Sequence, residues 1–191
     1  MRSIVLLAAA AIALPLASLA QTSNWKIDPV HSGVNVEILH LGVANVRGSF
    51  SHPTGVIQLD EKDITKSTVE ATIDTTTVNT NEPKRDEDLK SASFFDVQKF
   101  PTMTFKSTSL IKTGGKLQLI GNLTLNGVTK PVTLQVDGPA APQKGMQGGI
   151  VSGFSASGVL HRSDFNFGSK YAPPMLGNDV KFTIDIEMDK Q

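Results

Sequence analysis

Three stretches of the chain alternate apolar and polar side chains. Leu117, Leu119, Leu123 and Leu125 interleave with Gln118, Asn122 and Thr124, and Val132, Leu134 and Val136 interleave with Thr133, Gln135 and Asp137. The third stretch sets Val180, Phe182, Ile184, Ile186 and Met188 against Lys181, Thr183, Asp185 and Glu187. Successive side chains of a strand point to opposite faces, so a period of two gives each of these strands one dry and one wet side. The chain therefore reads as all-β and mostly antiparallel. A sheet patterned this way over a whole domain either stacks on a second sheet or closes on itself, and closure can leave an apolar hollow.

The first twenty residues read as a secretory signal peptide. Arg2 gives a positive start, residues 4–14 are apolar, and Ser18 and Ala20 place small side chains where a signal peptidase needs them, which predicts cleavage after Ala20. The apolar run falls short of the roughly 20 residues that span a bilayer. Residues 21–191 are then expected to form a single domain, long enough to remove about 70% of its unfolded surface from water. The chain has no Cys, so an exported protein of this kind relies on its core, which suits a bacterial periplasm. Its formal charge is zero and it has no basic run, which argues against a nucleic-acid partner.

Other segments follow the same logic. Residues 25–28 form a short strand that Pro29 breaks, and residues 32–40 put Val34, Val36 and Ile38 on one face. A turn at Leu41 and Gly42 leads to strands over residues 43–50 and 55–60, with Gly48 expected as a bend or bulge. Val69, Ala71 and Ile73 resume the alternation. Pro83, with Glu82 and Asp86 near the start and Leu89 as the main apolar residue, predicts one short helix near residues 83–92. Phe94, Phe95, Phe100, Met103 and Phe105 follow closely and include four of the nine phenylalanines, a plug or hinge for the core.

Asn126-Gly127 predicts a two-residue hairpin turn that pairs Leu119 with Leu134 and Leu117 with Val136. At Gly114-Gly115 a strict two-residue loop would set Phe105 against Thr124, whereas one extra loop residue or a bulge would pair Phe105 with Leu125 and Ile111 with Leu119; the longer turn is expected. Pro131 cannot donate to a ladder and places its strand locally at an edge or bulge. Residues 138–149 read as a loop. Residues 150–160 and 180–188 complete the sheet across an irregular loop over residues 162–177.

The four histidines, His31, His40, His52 and His161, show none of the spacings of a metal site, so no metal is expected. Ser155 and Ser157 sit in a glycine-flanked run that resembles a nucleophile elbow but misplaces its second glycine, and no strand, sharp turn and helix surround it. A serine hydrolase is therefore rejected. Arg85-Asp86 and Arg162-Ser163-Asp164 admit two readings: adjacent ion pairs that pin helix to loop, or a polar rim where Arg meets a ligand head group.

In order, Trp25-x-Ile27-Asp28 with His31-Ser32, the alternation through Val34, Val36, Ile38 and His40, Val46-x-Gly48-x-Phe50, Arg85-Asp86, Leu89-Lys90-Ser91, Phe94-Phe95-Asp96, Phe100-Pro101 and Phe105 make one pattern. It continues through Gly121-x-Leu123-Thr124, Gly127-Val128-Thr129, Pro131-Val132 and Arg162-x-Asp164-Phe165. Over residues 24–189 the chain resembles the YceI-like family. The resemblance implies an exported, antiparallel lipocalin-like β-barrel of about eight strands that binds a polyisoprenoid or another long amphiphile. Asp88 stands where many relatives carry histidine, and Asn166 where glycine usually follows the aromatic.

Taken together, these features predict a non-enzymatic periplasmic carrier with a lipid or isoprenoid guest and no other cofactor. The expected lining is Val34, Val36, Ile38, Val69, Ile73, Phe105, Leu119, Leu123, Leu134, Phe154, Phe182 and Ile184, with His40, Arg47, Arg85 and Arg162 at the polar mouth. Aromatics make up only 6% of the chain and inward positions are mainly Val, Leu and Ile, which favours open space. Two rivals are an enzyme using His31 or His40 with Asp86 or Asp164, and a filled barrel acting through its outer surface as an interaction or stress protein. The latter leaves room for a homodimer.

Overall fold

The structure is a computed structural model that describes residues 22–146 and 148–191; the leader and its cleavage point lie outside the described residues. Eleven strand segments follow the order β1 (Thr22–Ile27), β2 (Gly33–His40), β3 (Ala44–Ser51), β4 (Thr54–Asp60), β5 (Thr68–Asp74), β6 (Thr102–Thr113), β7 (Lys116–Leu125), β8 (Val128–Asp137), β9 (Gln143–Lys144), β10 (Ile150–His161) and β11 (Leu176–Lys190). One helix, α1 (Pro83–Lys90), lies between β5 and β6. All pairings are antiparallel. Eight strands close a ring in the order β1, β4, β5, β6, β7, β8, β10, β11, and β11 returns to β1. The dry faces therefore curl around an interior and do not stack on a second sheet.

β2 and β3 extend this ring at one end. The break at Pro29 separates β1 from β2, yet both pair with β11: β1 through Trp25 to Ile27, β2 through Gly33 to His40. β3 then pairs with β2, as β4 does with β1. The β2–β3 register runs unbroken from Gly33↔Ser51 to His40↔Ala44, so Gly48 is not the expected bulge. Its role is close approach: a Cβ there would lie 2.8 Å from Thr80 Cγ2 and 3.2 Å from the Asn79 carbonyl, which crosses against the strand.

The β7–β8 hairpin turns at Asn126-Gly127, both with positive φ, and pairs Leu119 with Leu134 and Leu117 with Val136 as the alternation requires. The β6–β7 hairpin differs from expectation. Its turn is the tight one, with Thr113 opposite Lys116 and both Gly114 and Gly115 at positive φ. The register shifts between Ser107 and Ser109, where Thr108 bulges and donates its hydroxyl to the Ile120 carbonyl at 3.2 Å. Leu110 consequently opposes Leu119, Phe105 opposes Leu123, and Ile111 faces Gln118. Two tolerant glycines settle the turn, and one extra residue in β6 returns Phe105 to the dry face. Pro131 lies opposite Asn122 beyond the stretch where β8 meets β10, so its nitrogen interrupts no ladder. The loop over residues 138–149 contains β9, which pairs with the start of β10.

The core falls into three groups. Trp25, Ile27, Ile57, Ile186 and Met188 fill the end where β1 and β11 meet, and the indole nitrogen of Trp25 donates to Ser23 Oγ at 2.8 Å. Leu119, Leu134, Ala156 and Phe182 pack at mid-height. Val34, Phe50, Val78, Phe95, Met103, Leu125 and Phe165 pack at the opposite end, beneath α1. Burying each such side chain contributes about 1.5–3 kcal/mol.

Candidate functional site: an apolar cavity in the barrel

Between the filled base and the α1 end lies a cavity of about 420 Å³. Its wall is built by the inward positions of the strands: Val34, Val36 and Ile38 from β2, Val69 and Ile73 from β5, Phe105 from β6, Leu119 and Leu123 from β7, Leu134 from β8, Phe154 from β10, and Phe182 and Ile184 from β11. All twelve positions taken from the alternation thus face one space. Ile27 and Ile186 floor it, and Val132, Ala156 and Leu160 complete the side.

The mouth is framed by α1, the β2–β3 turn and the loop over residues 162–175. α1 starts at Glu82, whose side chain accepts from the Lys84 amide, and Pro83 opens the first turn. Thr80 ties it down: Asp86 Oδ1 accepts from the Thr80 amide at 2.8 Å and its hydroxyl at 2.5 Å, while Arg85 donates to the same hydroxyl and to the Thr80 carbonyl. Phe94 stacks on Tyr171 with centroids 5.4 Å apart, and Phe95 meets Phe167 edge-on at 4.6 Å. Phe94, Phe167, Tyr171 and Met175 line the opening, and sequence reasoning missed them. They sit in turns, where no period marks the inward side.

His40, Arg47, Arg85 and Arg162 all border this cavity, but the charges are differently engaged. Arg162 is only 4% exposed, and its guanidinium donates to the carbonyls of Phe167, Gly168, Tyr171, Leu176 and Gly177. Five N–H groups meet five carbonyls, which uses every donor an arginine has. Burial pushes its pKa down from the ordinary arginine value. The expected ion pairs between Arg85-Asp86 and Arg162-Asp164 do not form, because Thr80 takes the first pair and backbone carbonyls take Arg162. Arg47, opposite Glu37 across β2 and β3, is mostly exposed and binds that carboxylate at 2.6 Å. Lys181 approaches Glu37 at 3.3 Å, and together these partners hold its pKa below the usual carboxylate value against the opposing effect of desolvation.

Among the described residues, no carboxylate hydrogen-bonds the His40 ring. His31 bonds Asp28 at 2.6 Å, but this pair lies on the outer corner between β1 and β2 and does not line the cavity. Asp28, His31 and Glu187 bring donor atoms within 4.8 Å of one another there. Histidine spacing could not reveal that grouping, since Glu187 comes from β11, far along the chain from the β1–β2 connection that carries Asp28 and His31. Ser155 sits mid-strand opposite Asp185, to which it donates at 2.6 Å, and forms no elbow.

The comparisons agree with this architecture. The YceI-like domain matches residues 25–188. The chain belongs to the YceI-like family. The Protein YceI of Salmonella arizonae is 40% identical over 176 residues, covering 88% of this chain and 87% of its own. The Campylobacter jejuni YceI protein, 32% identical, superposes with a TM-score of 0.71 over 80% of this chain and 89% of its own. Burkholderia cenocepacia BcnA shares the fold at 20% identity and a TM-score of 0.75, over 84% of this chain and 98% of its own. A polyisoprenoid binding domain from Saccharophagus degradans shares it at 14% identity and a TM-score of 0.64, over 87% of this chain and 98% of its own. Within the YceI-like pattern, Asn166 sits at φ 54°, a left-handed position that glycine fills freely and asparagine tolerates. Asp88 lines the mouth.

Proposed function

We propose that this protein is an exported, non-enzymatic carrier that holds the chain of one long amphiphile, a polyisoprenoid or similar lipid, inside the barrel. One observation carries the reading: a closed ring of strands surrounds about 420 Å³ walled mainly by Val, Leu, Ile and Phe, with the charged residues gathered at the mouth. That volume falls within the roughly 300–1,000 Å³ of small-molecule sites. Each methylene moved from water into it contributes about 0.8 kcal/mol. Ten or so therefore outweigh the lower end of the roughly 4–15 kcal/mol lost on association. The filled-barrel rival lacks a filled barrel to rest on.

Export rests on residues 1–20, whose charge, apolar run and small residues before Gln21 fit cleavage by a signal peptidase into a periplasm. No helix among the described residues is long and apolar enough to cross a membrane.

The test is native mass spectrometry of protein purified from its host, followed by organic extraction. A lipid-sized mass adduct that is recovered in the extract is expected. Val69→Trp, which narrows the space from the wall, is expected to carry markedly less of the adduct while melting near the wild-type temperature. Repeated recovery of adduct-free wild type, or an adduct unaffected by Val69→Trp, overturns the carrier.

A further inference from the structure

The rim of the cavity carries an uncharged apolar tip. Residues 38–46 and residues 171–178 contain no Asp, Glu, Lys or Arg, in a chain that is 19% charged. The fold joins the two stretches at the mouth: the Leu41 amide donates to the Met175 carbonyl at 3.1 Å, and Leu176 lies opposite His40 in the sheet. Leu39, Leu41, Val43 and Met175 remain 41%, 52%, 83% and 50% exposed. His40, Val46, Tyr171, Met175 and Leu176, from the same two stretches, border the cavity itself. Exposed large apolar groups gathered at one point ask for an explanation that scattered ones do not.

We propose that this tip docks on the surface of a lipid bilayer, so that the guest passes between membrane and barrel along a continuous apolar path. The inference rests on the carrier reading. A protein partner fits less well. Four partly exposed side chains, Leu39, Leu41, Val43 and Met175, expose on the order of a few hundred Å² between them, below the roughly 800 Å² per partner of a stable protein interface. A bilayer asks only that a few side chains enter the boundary between head groups and acyl chains. Neither stretch carries Lys or Arg, and the flanking Arg47 is held by Glu37, so docking relies on apolar contact more than on attraction to anionic head groups.

The geometry also fixes orientation. β11 runs from Leu176 at the mouth to Lys190 beside Trp25, and β1 begins at Thr22 at that far end. With the tip on a membrane, the start of the described chain points away from it.

Flotation of the purified protein with phosphatidylcholine vesicles tests the proposal, using wild type and the double variant Leu41→Asp, Val43→Asp. Leu41 sits at φ 52°, a conformation that aspartate adopts more readily than leucine, so the variant keeps its turn. Wild type is expected to float equally well at low and high salt, and the variant to lose at least about tenfold of the bound fraction. The variant should still yield the same lipid adduct by mass spectrometry, which separates this inference from the carrier reading beneath it. Wild type that carries lipid yet does not float overturns docking and leaves the carrier standing. Flotation that requires anionic lipid, that high salt abolishes, or that the double variant retains also overturns it. So does a wild-type dimer that the variant dissolves without any flotation.

Discussion

Arg162 holds the lip of the cavity by donating every N–H it has to carbonyls of the loop before β11, at Phe167, Gly168 and Tyr171, and of the start of β11, at Leu176 and Gly177. Replacing it with methionine, of similar length, leaves those carbonyls buried without donors. A destabilisation of about 3–5 kcal/mol is expected in urea unfolding. Arg162→Lys recovers only part of it, because three donors on a point charge cannot span the same fork. The sequence marked Arg162 as important but offered an ion pair or a ligand head group as its partner, since hydrogen bonds to backbone carbonyls leave no trace in residue types. A second residue-scale consequence concerns the outer corner. The hydrogen bond that the His31 ring donates to the Asp28 carboxylate raises the His31 pKa, and the same bond lowers that of Asp28. The His31 contribution is then fully present below the ordinary histidine value of about 6.5 and is lost as pH rises through the raised value. The Asp28 contribution is present above the ordinary carboxylate value and is lost as pH falls through the lowered one. Melting temperatures of wild type and His31→Ala should therefore differ in mildly acidic buffer and converge at alkaline pH. A gap that widens upward in pH contradicts the pairing.

At the scale of elements, the period of two located the strands and their inward faces, because a half-buried strand must alternate. It located β7, β8 and β11 best, where alternation is longest. It misplaced the β6–β7 correction for a physical reason: turn chemistry and register are separate constraints, and a bulge reconciles them anywhere along the strand. Gly114 and Gly115 satisfy the tight turn, so the extra residue appears at Thr108 instead. Deleting Thr108 should then force either Leu110 or Phe105 off the dry face. The expected result is a fall in the urea midpoint equivalent to losing one buried apolar side chain, about 1.5–3 kcal/mol. Inserting a residue into the Gly114-Gly115 turn, which needs no lengthening, should cost much less by the same measurement. Equal losses would mean that the bulge is not what sets the register. α1 was legible from Glu82 and Pro83, whereas the inward side of the 162–177 loop was not, because its placement depends on the distant Phe94 and on backbone carbonyls gathered around Arg162.

For the molecule as a whole, closure and hollowness are distinct properties with different origins. Closure follows from β11, whose length lets it pair with β10 along one edge and with both β1 and β2 along the other. Hollowness follows from side-chain size: the base is filled by Trp25 and Met188, while the mid-height wall uses Val69, Ala71 and Ala156, which do not reach across. A space limited in this way makes a quantitative demand on any guest. With a series of amphiphiles sharing one head group and differing in chain length, binding free energy should strengthen by about 0.8 kcal/mol per methylene while the chain is still entering the wall. It should then level off once the cavity of about 420 Å³ is occupied and further methylenes protrude past Phe94 and Tyr171. Isothermal titration across the series should show a negative heat-capacity change that grows with length and stops at the same point. Val69→Trp should bring the plateau to shorter chains without altering the slope before it. A slope near zero, or one governed by head group alone, would place the guest outside the barrel and leave its apolar interior without a use.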